Sequence, residues 1–115
     1  MKVVLSSIEA EYRRYKALGE AAMEQLSEAE LNSSGSGSQN PVAVITWHLG
    51  GNLASRFSDF LTTDGEKPWR HREEEFSRRV PTRSELLEHW ELGWRALFDS
   101  LADLSDDDLH RQVRI

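Results

Sequence analysis

The sequence predicts an all-α protein, an up-and-down helical bundle built on three long helices. Three observations carry this. Apolar residues recur every three or four positions in three separate segments, the spacing that lines up one face of an α-helix. Two of those segments open with helix-capping residues, Asn40-Pro41 and Thr82-Arg83-Ser84-Glu85. Four tryptophans among 115 residues supply large apolar anchors, enough for one modest core and hence one domain over residues 1–115.

The first helix is expected from about Ser7 to Leu31. Ile8, Tyr12, Tyr15, Gly19, Ala22 and Leu26 share one face, charged residues fill the others, and a break is expected near Ser27. Residues 32–40, rich in Ser and Gly, read as a flexible loop. A phosphate-cradling loop is the sharper alternative there, but the segment has no P-loop Lys and follows a helix. The second helix starts with Asn40 as N-cap and Pro41 at its first position, and should end near Leu61. Its stripe is Val42, Ile45, Leu49, Leu53, Phe57 and Phe60. Residues 62–81 form a long connection, expected to pack on the bundle through Trp69 and Phe76. The third helix follows the Thr82–Glu85 capping box, with Leu86, Trp90, Trp94, Leu97 and Leu101 as its stripe. Ser105-Asp106-Asp107-Asp108 reads as a solvated helix start, since acids favour the positive end of the helix dipole.

The charge balance excludes several functions. A formal net charge of −6 opposes non-specific nucleic-acid binding and docking on an anionic membrane. With no cysteine there is no disulfide, thiolate metal site or cysteine nucleophile. Neither a signal peptide nor an apolar run of spanning length is apparent, so a cytoplasmic protein is expected.

The second helix carries the chemistry. At 100° per residue, His48, Asn52, Ser55 and Asp59 fall along one edge of its apolar stripe. Such a row can line a pocket between helices, the place where bundles build metal and ligand sites. His48 offers an imidazole suited to zinc, nickel or iron, while a half-buried hydrogen-bonding histidine is the plainer reading. Gly50-Gly51 in mid-helix costs about 1 kcal/mol per glycine relative to Ala, so a close backbone approach or a locally unwound turn is expected there. His89 follows Glu85 by one helical turn and reads as a surface pair. His71 and His110 lie in charged, exposed stretches, and no HExxH, HxxxH or Gly-x-Ser-x-Gly motif occurs.

The run Asn40-Pro41-Val42-Ala43-Val44-Ile45-Thr46-Trp47-His48-Leu49-Gly50-Gly51-Asn52-Leu53 resembles the second-helix motif of the DinB-like (DinB/YfiT-type) superfamily. Arg56 to Arg70 and Trp90-Glu91-x-Gly93-Trp94 resemble an uncharacterised bacterial branch of it, and the likeness covers nearly the whole chain. The resemblance implies a four-helix bundle with a three-histidine divalent metal site. His48 matches the second-helix ligand, and an HxxxH-like pair on a last helix has no counterpart before Ile115. A fourth helix is therefore expected to be missing or supplied by a partner, and an open apolar face to favour a homodimer with Trp90 and Trp94 near its interface. The expected function is a self-associating DinB-like bundle, non-catalytic or degenerate. The alternative is a divalent-metal-dependent transferase or hydrolase acting on a small thiol-type substrate.

Overall fold

A computed structural model describes residues 1–35, 39–77 and 80–114, and they form an all-helical bundle. Three long helices, α1 (Val3–Glu24), α3 (Val42–Phe57) and α5 (Arg83–Ala102), carry the fold. Two single turns, α2 (Glu28–Leu31) and α4 (Arg72–Glu75), and a 3-10 turn at Asp106–His110 complete it. Ser36 to Ser38, the centre of the loop expected at 32–40, lie outside the described residues.

The helix α5 is the shared element. Its whole predicted stripe, Leu86, Trp90, Trp94, Leu97 and Leu101, is buried. The Thr82 hydroxyl accepts from the Glu85 amide and the Glu85 carboxylate from the Thr82 amide, so both halves of the capping box form. The helix α1 lies antiparallel along α5. Arg13 stacks on Phe98, Tyr12 meets Trp94 edge-on, and Lys16 pairs with Glu91. Gly19 faces the Trp90 ring, where a Cβ would stand 3.0 Å from the indole.

The helix α3 runs parallel to α5, so strict up-and-down alternation is not kept between them. Trp47 meets His89, Gly50 meets Gly93, and the Phe57 carbonyl meets Ser100. The long connection between the helices permits this, since parallel neighbours need a crossover.

Helix boundaries differ from the sequence expectations in physically readable ways. The helix α1 begins at Val3, not Ser7, because the Asp106 carboxylate accepts from the Val4 and Leu5 amides, both at 3.0 Å. Asp106 is thus a cap supplied from the far end of the chain. The break near Ser27 is present: Ser27 opens α2 with its own capping box, and Arg83 donates to the Met23 and Leu26 carbonyls at the end of α1. Pro41, not Asn40, holds the N-cap position of α3. That helix stops at Phe57, because Asp59 adopts a left-handed backbone at φ 49°.

The buried face of α3 also differs. Ala43, Thr46, Gly50 and Leu53 are buried, whereas Ile45 and Leu49 of the predicted stripe are 49% and 39% exposed. Small residues let two helix backbones approach, and α3 turns its small face toward α5 to use them. On α1, Tyr15 of the predicted face is exposed, and Leu5 and Met23 take the buried positions.

Candidate functional site

The strongest concentration of charge inside the molecule centres on His48. Its Nδ1 lies 2.9 Å from Oε1 of Glu75, the last residue of α4. Arg70 grips the same carboxylate twice, through Nη2 to Oε1 at 2.9 Å and Nε to Oε2 at 3.2 Å. The Arg70 and Glu75 side chains are both buried and His48 is partly exposed. The Phe76 ring tilts over the imidazole at 4.8 Å.

This cluster forms because α3 lacks a side chain where the carboxylate needs room. A Cβ on Gly51 would lie 1.9 Å from Oε2 of Glu75. Gly50 serves the other neighbour, since a Cβ there would stand 2.8 Å from the His89 carbonyl oxygen. The paired glycines therefore answer two close approaches, one from α4 and one from α5. Burial pushes the Glu75 carboxyl up, but the hydrogen bonds from Arg70 and His48, with the Arg70 charge behind them, outweigh it and hold the group below the ordinary glutamate range.

The connection over 62–81 closes on α3 through polar contacts more than through its aromatics. Ser55 is completely buried, donates to the Gly65 carbonyl at 2.6 Å and accepts from the Lys67 amide at 3.3 Å. The Lys67 ammonium donates to the Ser55 carbonyl at 2.7 Å. Trp69, expected as a packing anchor, is exposed, and Phe76 stays at the surface, meeting His48 on one side and the Arg72 guanidinium on its ring face.

The structure separates the row read along the second helix. His48 stands in the charged cluster, and Asn52 is half-buried one turn further along. Ser55 is a buried tether, not a pocket wall. Asp59 lies beyond the end of α3 and lines a separate cleft of about 540 Å³ with Phe57, Phe60, Asp99 and Leu104. Trp90 and Trp94, expected near an interface, are 3% and 6% exposed and belong to the core within this chain. They fill the space between α1 and α5, and the Trp90 indole donates to Glu20.

Sequence reasoning missed Arg70, Glu75 and the true setting of His89. The His89 ring stacks on Trp47 at 3.8 Å and 7°, and its Nε2 donates to the Trp47 carbonyl at 2.9 Å. Together with Trp69, Arg70 and Glu74, these two rings line a cleft of about 220 Å³. The Arg70 to Glu75 stretch offered one signal, a charged run beside two aromatics, but nothing local pointed it at His48.

Residues 2–115 match the family described as a protein of unknown function, DUF1572. The chain belongs to that family. No curated protein and no solved structure matches it. A divalent site needs about three protein ligands when it is catalytic. Among the described residues of this DUF1572 chain, no three His, Asp or Glu side chains gather in a way that could hold a metal ion. The residues present therefore fit one ligand of such a site and not the set. No helix among the described residues is long and apolar enough to cross a membrane.

Proposed function

We propose that this DUF1572 protein is a DinB-like helical module that works by self-association, with its contact surface on the outer face of α3. The observation that carries the reading is the pair Ile45 and Leu49, large apolar side chains left substantially in water on a helix whose other faces are covered. Tyr15 and Leu18 on α1 are exposed by 58% and 54% and enlarge the apolar surface of the molecule. Burying such side chains stabilises a contact by about 25 cal/mol per Å² of apolar area removed from water. A second copy presents the same face, and two-fold symmetric pairing is the commonest way for a chain to cover it.

A second reading is favoured by His48. A histidine held by a carboxylate is the usual arrangement of a metal-ligating imidazole. In this reading His48 supplies one ligand to zinc, nickel or iron, and further ligands come from another copy. A metal-dependent transferase or hydrolase acting on a thiol-type substrate is the activity that the DinB-like resemblance then suggests.

Size-exclusion chromatography with light scattering, joined to elemental analysis of the eluted protein, tests both. The association reading expects a dimer that becomes monomeric in the double variant Ile45→Glu, Leu49→Glu. A wild-type monomer at high concentration sinks it. Stoichiometric metal that disappears in His48→Ala supports the second reading, and metal unaffected by that substitution removes it.

A further inference from the structure

The contacts around His48 assign it a tautomer as well as a position. We propose that Glu75 is a positioning residue that holds His48 as the Nδ1–H form, leaving Nε2 as the proton-free nitrogen of a partly exposed side chain. The argument is one of donors and acceptors. An ionised carboxylate only accepts hydrogen bonds, and a guanidinium only donates. Glu75 Oε1 lies 2.9 Å from Nδ1, so a lone pair on Nδ1 would face the oxygen's own lone pairs, and a proton there forms a charge-assisted bond. The competing donor, Arg70 Nη2, stands 3.5 Å from Nδ1 and already has Oε1 at 2.9 Å.

Each neighbour contributes to this lock. Arg70 keeps Glu75 ionised in a buried place, so the acceptor does not turn into a donor. Gly51 leaves the space that Oε2 occupies. Phe76 lies against the ring and limits its rotation. His89 provides a contrast within the same molecule. Its Nε2 faces a carbonyl, which only accepts, so a proton sits on Nε2 there.

The consequence is chemical. Nε2 of His48 is then an acceptor on a partly exposed side chain, able to take a proton from a bound molecule or to meet a cation. This holds whether or not the chain self-associates and whether or not a metal binds.

The test is a long-range ¹H–¹⁵N correlation spectrum of the full-length, ¹⁵N-labelled chain at about pH 8, above the ordinary imidazole range. Wild type is expected to show a pyrrole-type Nδ1 and a pyridine-type Nε2 at His48. Glu75→Leu, which removes the acceptor, is expected to lose that pattern, giving averaged nitrogens or the Nε2–H form, while the His89 pattern persists. Gly51→Ala tests the same point with the Glu75 residue retained, because the new methyl displaces the carboxylate by contact alone. A pyridine-type Nδ1 in wild type overturns the proposal, as does protonation of both nitrogens. So does a wild-type pattern that survives in folded Glu75→Leu or Gly51→Ala.

Discussion

Gly93 on α5 rides directly on Gly50 of α3: a Cβ at Gly93 would lie 2.6 Å from the Gly50 carbonyl oxygen and 2.9 Å from its Cα. The obstacle is backbone, which cannot swing aside as a long side chain does. Ala is the better helix former by about 1 kcal/mol, so Gly93→Ala separates propensity from packing. Packing should win, with a net loss of about 1–3 kcal/mol from overpacking. Urea unfolding followed by circular dichroism measures it, and a stabilised variant would mean the helices can move apart freely.

Ser55→Ala should also destabilise, for a different reason. The substitution is small and suits a helix, yet it leaves the Gly65 carbonyl without its 2.6 Å donor and the Lys67 amide without its acceptor. Losing partners for buried polar groups costs about 1–3 kcal/mol. Hydrogen exchange should quicken at the Lys67 amide if the connection is tethered there. Unchanged exchange would show that Ser55 is not what holds it.

Arg70→Met removes the cation from the buried cluster and leaves Glu75 dependent on His48 alone. A loss of about 1–3 kcal/mol is expected near neutral pH. The pH dependence should change sign of slope. In wild type Glu75 is held below its ordinary value, so its contribution is present above the usual glutamate range and fades as pH falls through the lowered value. In the variant burial dominates, and the contribution fades as pH rises instead. Chemical denaturation across the acidic range, compared between the two proteins, reads this directly.

Asp106→Asn probes the cap on α1. Backbone hydrogen bonds from Val4 and Leu5 hold the Asp106 carboxyl below the ordinary aspartate range. Its stabilising share is therefore complete above that range and is lost as pH falls through the lowered value. The Asn variant keeps an acceptor oxygen but loses the charge that complements the helix dipole. It should unfold more easily at neutral pH and lose less on acidification, with fraying visible as faster amide exchange at Val4 and Leu5.

These residues also mark where local sequence stops being informative. The α5 stripe from Leu86 to Leu101 was legible because every member faces the core, and the Thr82–Glu85 box because both partners lie within one turn. The stripe on α3 was legible as apolar but not as buried. Periodicity reports that a face exists, and the Gly50–Gly93 approach decides which face α5 covers. His48 could be singled out as the imidazole to watch. Its partners could not, since Arg70 and Glu75 stand 22 and 27 positions away and reach it only when the connection folds back.

By itself, then, the sequence determined an all-helical chain with three long amphipathic helices, a break at Ser27, a capped start to α5 and one histidine on the edge of an apolar stripe. Each rests on residues within a few positions of one another, where spacing and hydrogen-bonding capacity act directly. Only the tertiary structure decided that α3 and α5 run parallel, that Gly51 makes room for a carboxylate, that Asp106 caps α1, and that Trp90 and Trp94 are core. The physical reason is the same in each case. These features depend on which surfaces meet, and a contact between distant segments is set by packing and charge once the chain has folded, with no repeat or motif along the chain to announce it.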